Sequence, residues 1–223
     1  GLKDRHAVFV RGLLNLELGR SKDARQDFHM VLHGGAHELA WLGLHETAPL
    51  SPQERAQIAV LKEHAAPQVR LWARWLDLRS RLKGIALSRA VANLPLPKIP
   101  YLLKRFAELH LHYGNREALL RLYANLGAVR TGESDYMRRI DARILFMDGD
   151  PDGAWEILES IPRAGRGHYG VMFLWFAQRF DEARREALGL PESDPWRRLA
   201  KGDRTAKKVV PILAIAPPKT KSS

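Results

Sequence analysis

The sequence predicts an all-α fold, and three observations carry that expectation. Apolar residues recur at three- and four-residue spacings, the period of one helix face rather than of a strand. β-Branched residues are sparse, which favours helix over sheet. Helix starts are written as a cap residue followed by proline at Ser51-Pro52, Asp150-Pro151 and Asp194-Pro195. A cap side chain accepts a first-turn N–H, and proline's fixed torsion suits the first helical position.

Taken in order, the pattern places helices over 3–18, 21–33, 36–47, 52–65, 68–82, 85–93, 99–113, 115–126, 134–148, 151–160, 168–178 and 180–188, with a short one over 195–201. Ser51-Pro52-Gln53-Glu54 is a full capping box, since Glu54 reaches back to the cap nitrogen. Breaks fall at Gly34-Gly35, Pro49, Leu94-Pro95-Leu96-Pro97, Gly114, Gly127, Gly132 and from Pro162 to Gly167. The connections are short, so consecutive helices are expected to lie antiparallel. No strand alternation precedes the last segment of the chain. The expected organisation is a helical domain over 1–202 and a basic tail over 203–223.

The balance of 36 Lys and Arg against 25 Asp and Glu gives +11, and its distribution matters more than its sum. Residues 197–223 hold eight basic residues against Asp203, or +7, which leaves +4 for the rest. The basic footprint is therefore mostly terminal. With no cysteine, disulfides, thiolate metal sites and a Cys nucleophile are excluded. No apolar run approaches the ~18 residues of a membrane span. The chain starts Gly1-Leu2 with no signal-peptide pattern, which reads as an excised fragment or a tag scar, and the absence of cysteine fits a cytoplasmic chain.

Four joints look alike: LGRSKDARQDF (18–28), YGNREALLRLY (113–123), DGDPDGAWEIL (148–158) and AQRFDEARREA (177–187). Each has a turn, a few polar residues, then Ala24, Ala118, Ala154 or Ala183. The last three alanines are 36 and 29 residues apart, near the period of about 34 for a helix-pair repeat. In the first unit, Gly12 takes the small mid-helix position, Gly19 the turn, Ala24 the opening of the second helix and Phe28 the packing position. Ala107 and Gly114 fill the first slots around Tyr101–Leu126. Ala142, Gly149, Ala154 and Leu158 fill them around Tyr136–Ile161. On these residues the chain resembles the tetratricopeptide repeat (TPR) family, although the family's first-helix Trp is missing and residues 36–94 keep only the rhythm. The resemblance implies a right-handed α-solenoid of antiparallel helix pairs with a concave docking face.

Several motifs compete with that reading. MDGDPDGAWEILE (147–159) satisfies the calcium-loop pattern through Asp148, Asp150, Asp152, Gly153 and Glu159. Pro151 inside the loop, and Pro162 soon after Glu159, favour a capped helix start instead. His29, His33 and His37 are spaced by four, but Gly34-Gly35 interrupts them. His37-Glu38 and His45-Glu46 begin a zinc-protease pattern that lacks its second His, because Trp41 and Pro49 stand there. In RLWARWLDLRSRLK (70–83), Arg70, Arg74, Asp77 and Arg81 form a solvated stripe while Trp72, Trp75, Leu76 and Leu82 turn inward. His110 and His112 face different sides of their helix. VVPILAIAPPKTKSS (209–223) resembles the strand and phosphate loop that open a sulfotransferase domain, with Lys219, Ser222 and Ser223 at the phosphate and Lys221 in place of the loop's glycine.

No nucleophile-elbow serine, dinucleotide loop or paired catalytic carboxylates stand out. The expected function is therefore non-catalytic, with no metal or cofactor. By the TPR resemblance, Tyr136, Arg139 and Arg143 line the concave side of their helix. Tyr101, Lys104 and Glu108 match them one unit earlier, and His168, Met172 and Trp175 in the last unit. The expected partner-binding residues are Lys104, Tyr136, Arg139, Arg143 and His168. They would suit a protein or peptide with acidic or C-terminal carboxylate groups. The alternative is an accessory helical module of a larger enzyme that starts at 209–223. Nucleic-acid binding through the basic tail is a third class.

Overall fold

The computed structural model describes residues 2–129 and 134–203. They form α1 (Leu2–Glu17), α2 (Ser21–His33), α3 (Glu38–Leu44), α4 (Pro52–Leu61), α5 (Pro67–Arg81), α6 (Gly84–Ala92), α7 (Pro100–Tyr113), α8 (Arg116–Val129), α9 (Ser134–Met147), α10 (Pro151–Glu159), α11 (Arg163–Arg166), α12 (His168–Phe176), α13 (Phe180–Leu188) and α14 (Pro195–Ala200). No strand occurs among the described residues, so the all-α expectation holds. None of their helices is long and apolar enough to cross a membrane. The strand and phosphate-loop reading of 209–223 lies outside the described residues, as does all of the tail beyond Asp203.

The third and fourth helices end earlier than expected, at Leu44 and Leu61, and two other departures have local reasons. The third helix is shorter at its start because the His37 ring caps it, Nδ1 accepting from the Ala40 N–H at 3.1 Å. The stretch from Pro162 to Gly167 is a one-turn helix rather than a break. Arg166 ties that turn back to the carbonyls of Ile161 and Glu159 at 2.8 and 2.9 Å. The capping box at Ser51 forms as expected, with both reciprocal bonds present.

The four similar joints share one backbone geometry. Gly19, Gly114, Gly149 and Gln178 all take positive φ, at 71°, 66°, 91° and 62°. After each, the next N–H closes back five residues: Arg20 to Asn15, Asn115 to His110, Asp150 to Leu145 and Arg179 to Leu174. These are left-handed helix stops that run straight into the next helix. The alanine that follows is buried every time: Ala24 at 0 %, Ala118 at 4 %, Ala154 at 0 % and Ala183 at 1 % exposure. A small side chain there lets the paired helices approach closely.

Gln178 is the one described non-glycine residue with positive φ. Its Cβ crowds the backbone in a way that glycine avoids. Gln178→Gly is expected to stabilise the protein by up to about 1 kcal/mol, and Gly149→Ala to destabilise it by about 1 kcal/mol. Urea midpoints at unchanged m check both. Equal midpoints would show that the left-handed residue carries no strain.

The chain divides into two compact units, Gly1–Leu109 and His110–Ser223, with the division inside α7. In the first unit, α1 packs on α2, α2 on α3, α3 on α5 and α4 on α5. Phe28 is fully buried there, and its ring fills the space above two glycines. A Cβ on Gly12 would sit 2.8 Å from the ring, and one on Gly43 2.6 Å. Gly12 was legible as a close-approach position. Gly43 was not.

A second feature of this unit is the Glu46 carboxylate, which has no solvent exposure. One oxygen accepts from the Trp72 and Trp75 indoles, each at 2.8 Å. The other accepts from the Tyr101 hydroxyl at 3.2 Å and from the Arg79 guanidinium. Four donors from α5 and α7 thus converge on one acid in the turn after α3. This explains why Trp72 and Trp75 are buried at 0 % and 2 % while Arg74 and Arg81 on the same helix face water. The inward-facing tryptophans follow the sequence reading of this helix.

In the second unit, α9 packs on α10, α10 on α12, and α12 on α13. Their shared core centres on Phe146, Phe173, Trp155, Leu158 and Val171. The Phe146 and Phe173 rings stack at 4.9 Å. Glu186, only 9 % exposed, ties α13 to the one-turn helix through Arg163 and Arg166 at 3.4 and 3.6 Å.

Candidate functional site

The acidic stretch at 147–159 is organised as a helix start. Asp150 Oδ1 accepts from the Gly153 N–H at 2.8 Å, and Pro151 opens α10. A Cβ on Gly153 would sit 2.3 Å from that carboxylate, so glycine is needed for the cap to close. Asp148 pairs with Arg116 at the start of α8, and Asp152 lies 3.8 Å from Arg179. The carboxylates are thus turned to different elements. Among the described residues no three His, Cys, Asp or Glu side chains gather to hold a metal ion. His29 and His33 are exposed, whereas His37 caps α3.

The five residues expected to bind a partner fall in both units. Lys104, in the first, lies 3.9 Å from Glu17 on α1. The other four lie in the second. On α9, Tyr136 is 5 % exposed, and the Arg139 guanidinium carbon lies 5.5 Å from its ring centroid. Arg139 is half-buried, and its Nε is buried with no acceptor among the described residues.

Arg143, one turn further, is completely buried. Its Nε donates to the Leu111 carbonyl at 3.2 Å, and Nη1 faces the Met172 sulfur at 3.9 Å. Its carbon centre lies 4.9 Å from the Phe146 ring and 5.7 Å from the Tyr169 ring. Nη2 is buried and meets no acceptor. No ion pair joins Arg143 to a carboxylate among the described residues. Burial pushes its pKa down to about 10, which leaves it charged at neutral pH.

The charge of this cation acts on two imidazoles, His112 and His168. His168 starts α12 behind Gly167, which takes a φ of 58°. Its pKa is lowered by burial first, and the charges of His112 and Arg143 add to that effect against Asp194. His112, near the end of α7, is lowered by desolvation and then by Arg143. Both are neutral at pH 7. Arg143 and His168, expected on the stripes of different repeat units, are near enough for the charge of one to act on the other, and His112, Tyr169 and the Leu111 carbonyl also lie near Arg143. No spacing in the sequence signals that addition, because the residues come from α7, α9 and α12.

Comparison of the chain with protein-family models, curated proteins and solved structures finds no match. The chemistry of the site rests on these side chains alone. They offer a charged guanidinium, two neutral N–H-bearing rings and aromatic faces. The arrangement suits binding of an anionic group.

Next to this cluster, His110 is 2 % exposed. Burial, and then the charge of Arg121, lower its pKa to about 4. The folded state thus favours the neutral ring, while the unfolded chain takes up a proton near its ordinary pKa of about 6.5. Stability is full above that value and falls as pH drops from about 6.5 towards about 4, by about 3 kcal/mol from this residue. Urea titrations at pH 7.5 and 4.5 check this. His110→Gln should flatten the difference, and an equal acid loss in the variant would assign it to other groups.

Proposed function

We propose that this chain is a non-catalytic, TPR-like protein-interaction module. Its helix pairs stack as a right-handed solenoid and receive an acidic or carboxylate-terminated peptide in the groove of that solenoid, along the α9 stripe. Arg139 and His168 are the anchors within reach of a partner, and Tyr136 holds the Arg139 guanidinium in place through its ring. Lys104, already beside Glu17, adds charge more than contact. The observation that carries the reading is that Arg139 and Arg143, one turn apart on α9, have no carboxylate among the described residues, whereas Arg138 on the same helix lies 3.8 Å from Asp135. Arginines ordinarily find acidic neighbours in a chain this rich in charge, and a stripe whose half-buried Arg139 and buried Arg143 lack them favours an anionic partner. The repeated left-handed stops with buried alanines support the helix-pair organisation.

Fluorescence polarisation against a library of short peptides, each with a free or amidated C-terminus, tests this. Arg139→Glu should weaken the best acidic ligand by about tenfold or more, or about 1.4 kcal/mol. Deletion of residues 204–223 should leave it unchanged at 150 mM salt. Affinity that survives Arg139→Glu and collapses with the tail would replace groove docking by electrostatic binding through the tail.

A further inference from the structure

A buried cation normally has an anion. Taking a guanidinium out of water is costly unless a carboxylate and full hydrogen bonding compensate it. Arg143 has neither: it is fully buried, one of its terminal nitrogens has no acceptor, and the other faces only a thioether. Thioether sulfur is a weak acceptor on a flexible side chain and yields readily to a better one. The Phe146 and Tyr169 rings lie against the carbon centre, so the edge that carries Nη1 and Nη2 is the direction left for a ligand. Two parallel N–H bonds from one guanidinium edge match the two oxygens of a carboxylate.

We propose that Arg143 is the centre of a discrete carboxylate-binding site inside the second unit, with Nη1 and Nη2 as a bidentate clamp and the His112 and His168 rings beside it. This goes beyond the proposed docking along the α9 stripe, because the site takes a single small carboxylate whether that group is a free monocarboxylate or a peptide terminus. The Met172 side chain moves aside to admit it. Bound charge offsets that of Arg143, so the same event lifts the smaller part of the depression at both imidazoles, which burial mainly sets. The charged and titratable groups around the rings are Arg143, His112, His168, Tyr169 and, beside His168, Asp194.

The test uses the full chain at pH 7.5 and constant ionic strength. Sodium acetate is titrated against sodium chloride, and the Arg143 Nε–H and the His112 and His168 ring signals are followed by NMR. Saturable, acetate-specific shifts of all three are expected, with both histidine pKa values raised at saturation. Arg143→Met should lose about tenfold or more in acetate affinity. It should remain folded, with stability in acetate-free buffer equal to or above that of the parent, since an apolar side chain of similar length replaces an uncompensated charge. Arg143→Lys should keep weak binding without the bidentate preference for carboxylate.

A second arm distinguishes the source of the carboxylate. A short peptide with a free C-terminus that competes with acetate, while its amide does not, assigns the site to partner termini. Competition by neither assigns it to a free small carboxylate. Arg139→Glu, which disables the proposed docking stripe, should weaken acetate by no more than about threefold, so loss of docking and loss of this site are separable. Equal, non-saturating shifts in acetate and chloride would overturn the site. So would an Arg143→Met variant that is destabilised in acetate-free buffer while the parent gives no acetate response, because Arg143 would then be a structural tie to Leu111 alone.

Discussion

Glu46→Ala is expected to destabilise the first unit by about 3–5 kcal/mol, the largest effect of any single polar substitution in the protein. The reason is what the change leaves behind. The Trp72 and Trp75 indoles, the Tyr101 hydroxyl and the Arg79 guanidinium all lose their shared acceptor. Trp72, Trp75 and Tyr101 are at most 5 % exposed, so water does not replace it freely. Glu46→Gln keeps an oxygen for the two indoles but sets an amide against Arg79, and about 1–3 kcal/mol is expected. Arg79→Ala in the Glu46→Ala background should cost much less than it does alone, because the pair acts as one network. Hydrogen exchange of α5 amides, together with urea unfolding, reads the loss where it occurs. A Glu46→Ala protein within about 1 kcal/mol of the parent would mean that the four donors find other acceptors, and that the cage is incidental.

Phe28→Ala is the second large effect, at about 3–5 kcal/mol. The ring is fully buried and rests on the glycines of α1 and α3. Removing it leaves a cavity bounded by helix backbones, which collapse poorly. The reciprocal changes test the same contact from the other side. Gly43→Ala and Gly12→Ala each put a methyl group 2.6–2.8 Å from the ring, and about 1–3 kcal/mol is expected for each. A smaller ring-site residue should relieve them, so Gly43→Ala/Phe28→Leu should be more stable than the sum of its parts predicts. Strict additivity would show that the glycines serve backbone conformation rather than the approach of the ring.

Much of the fold was legible because its determinants are local. Ser51, Asp150 and Asp194 cap the helices that they were expected to start, since a cap depends only on its own first turn. The equivalence of the four joints was visible even where glycine gave way to Gln178, because the buried alanine stayed in place. Gly12 and Phe28 were each marked as packing positions through the TPR resemblance, while their contact with one another comes from the structure. The candidate site was legible only in part. The stripe of Tyr136, Arg139 and Arg143 follows from helical periodicity. That Arg143 is buried, and that His112 stands beside it, depends on how α7 and α12 meet α9.

The sequence by itself determined the helices, their caps and stops, and which face of α5 turns inward, because hydrogen bonds within a turn and apolar periodicity are properties of neighbouring residues. Tertiary structure alone decided the Glu46 cage, the closeness of Gly43 to Phe28 and the enclosure of Arg143 without a counter-charge. Each of these joins groups fifteen or more residues apart. Burial and electrostatic pairing depend on distance in space, which no local pattern encodes.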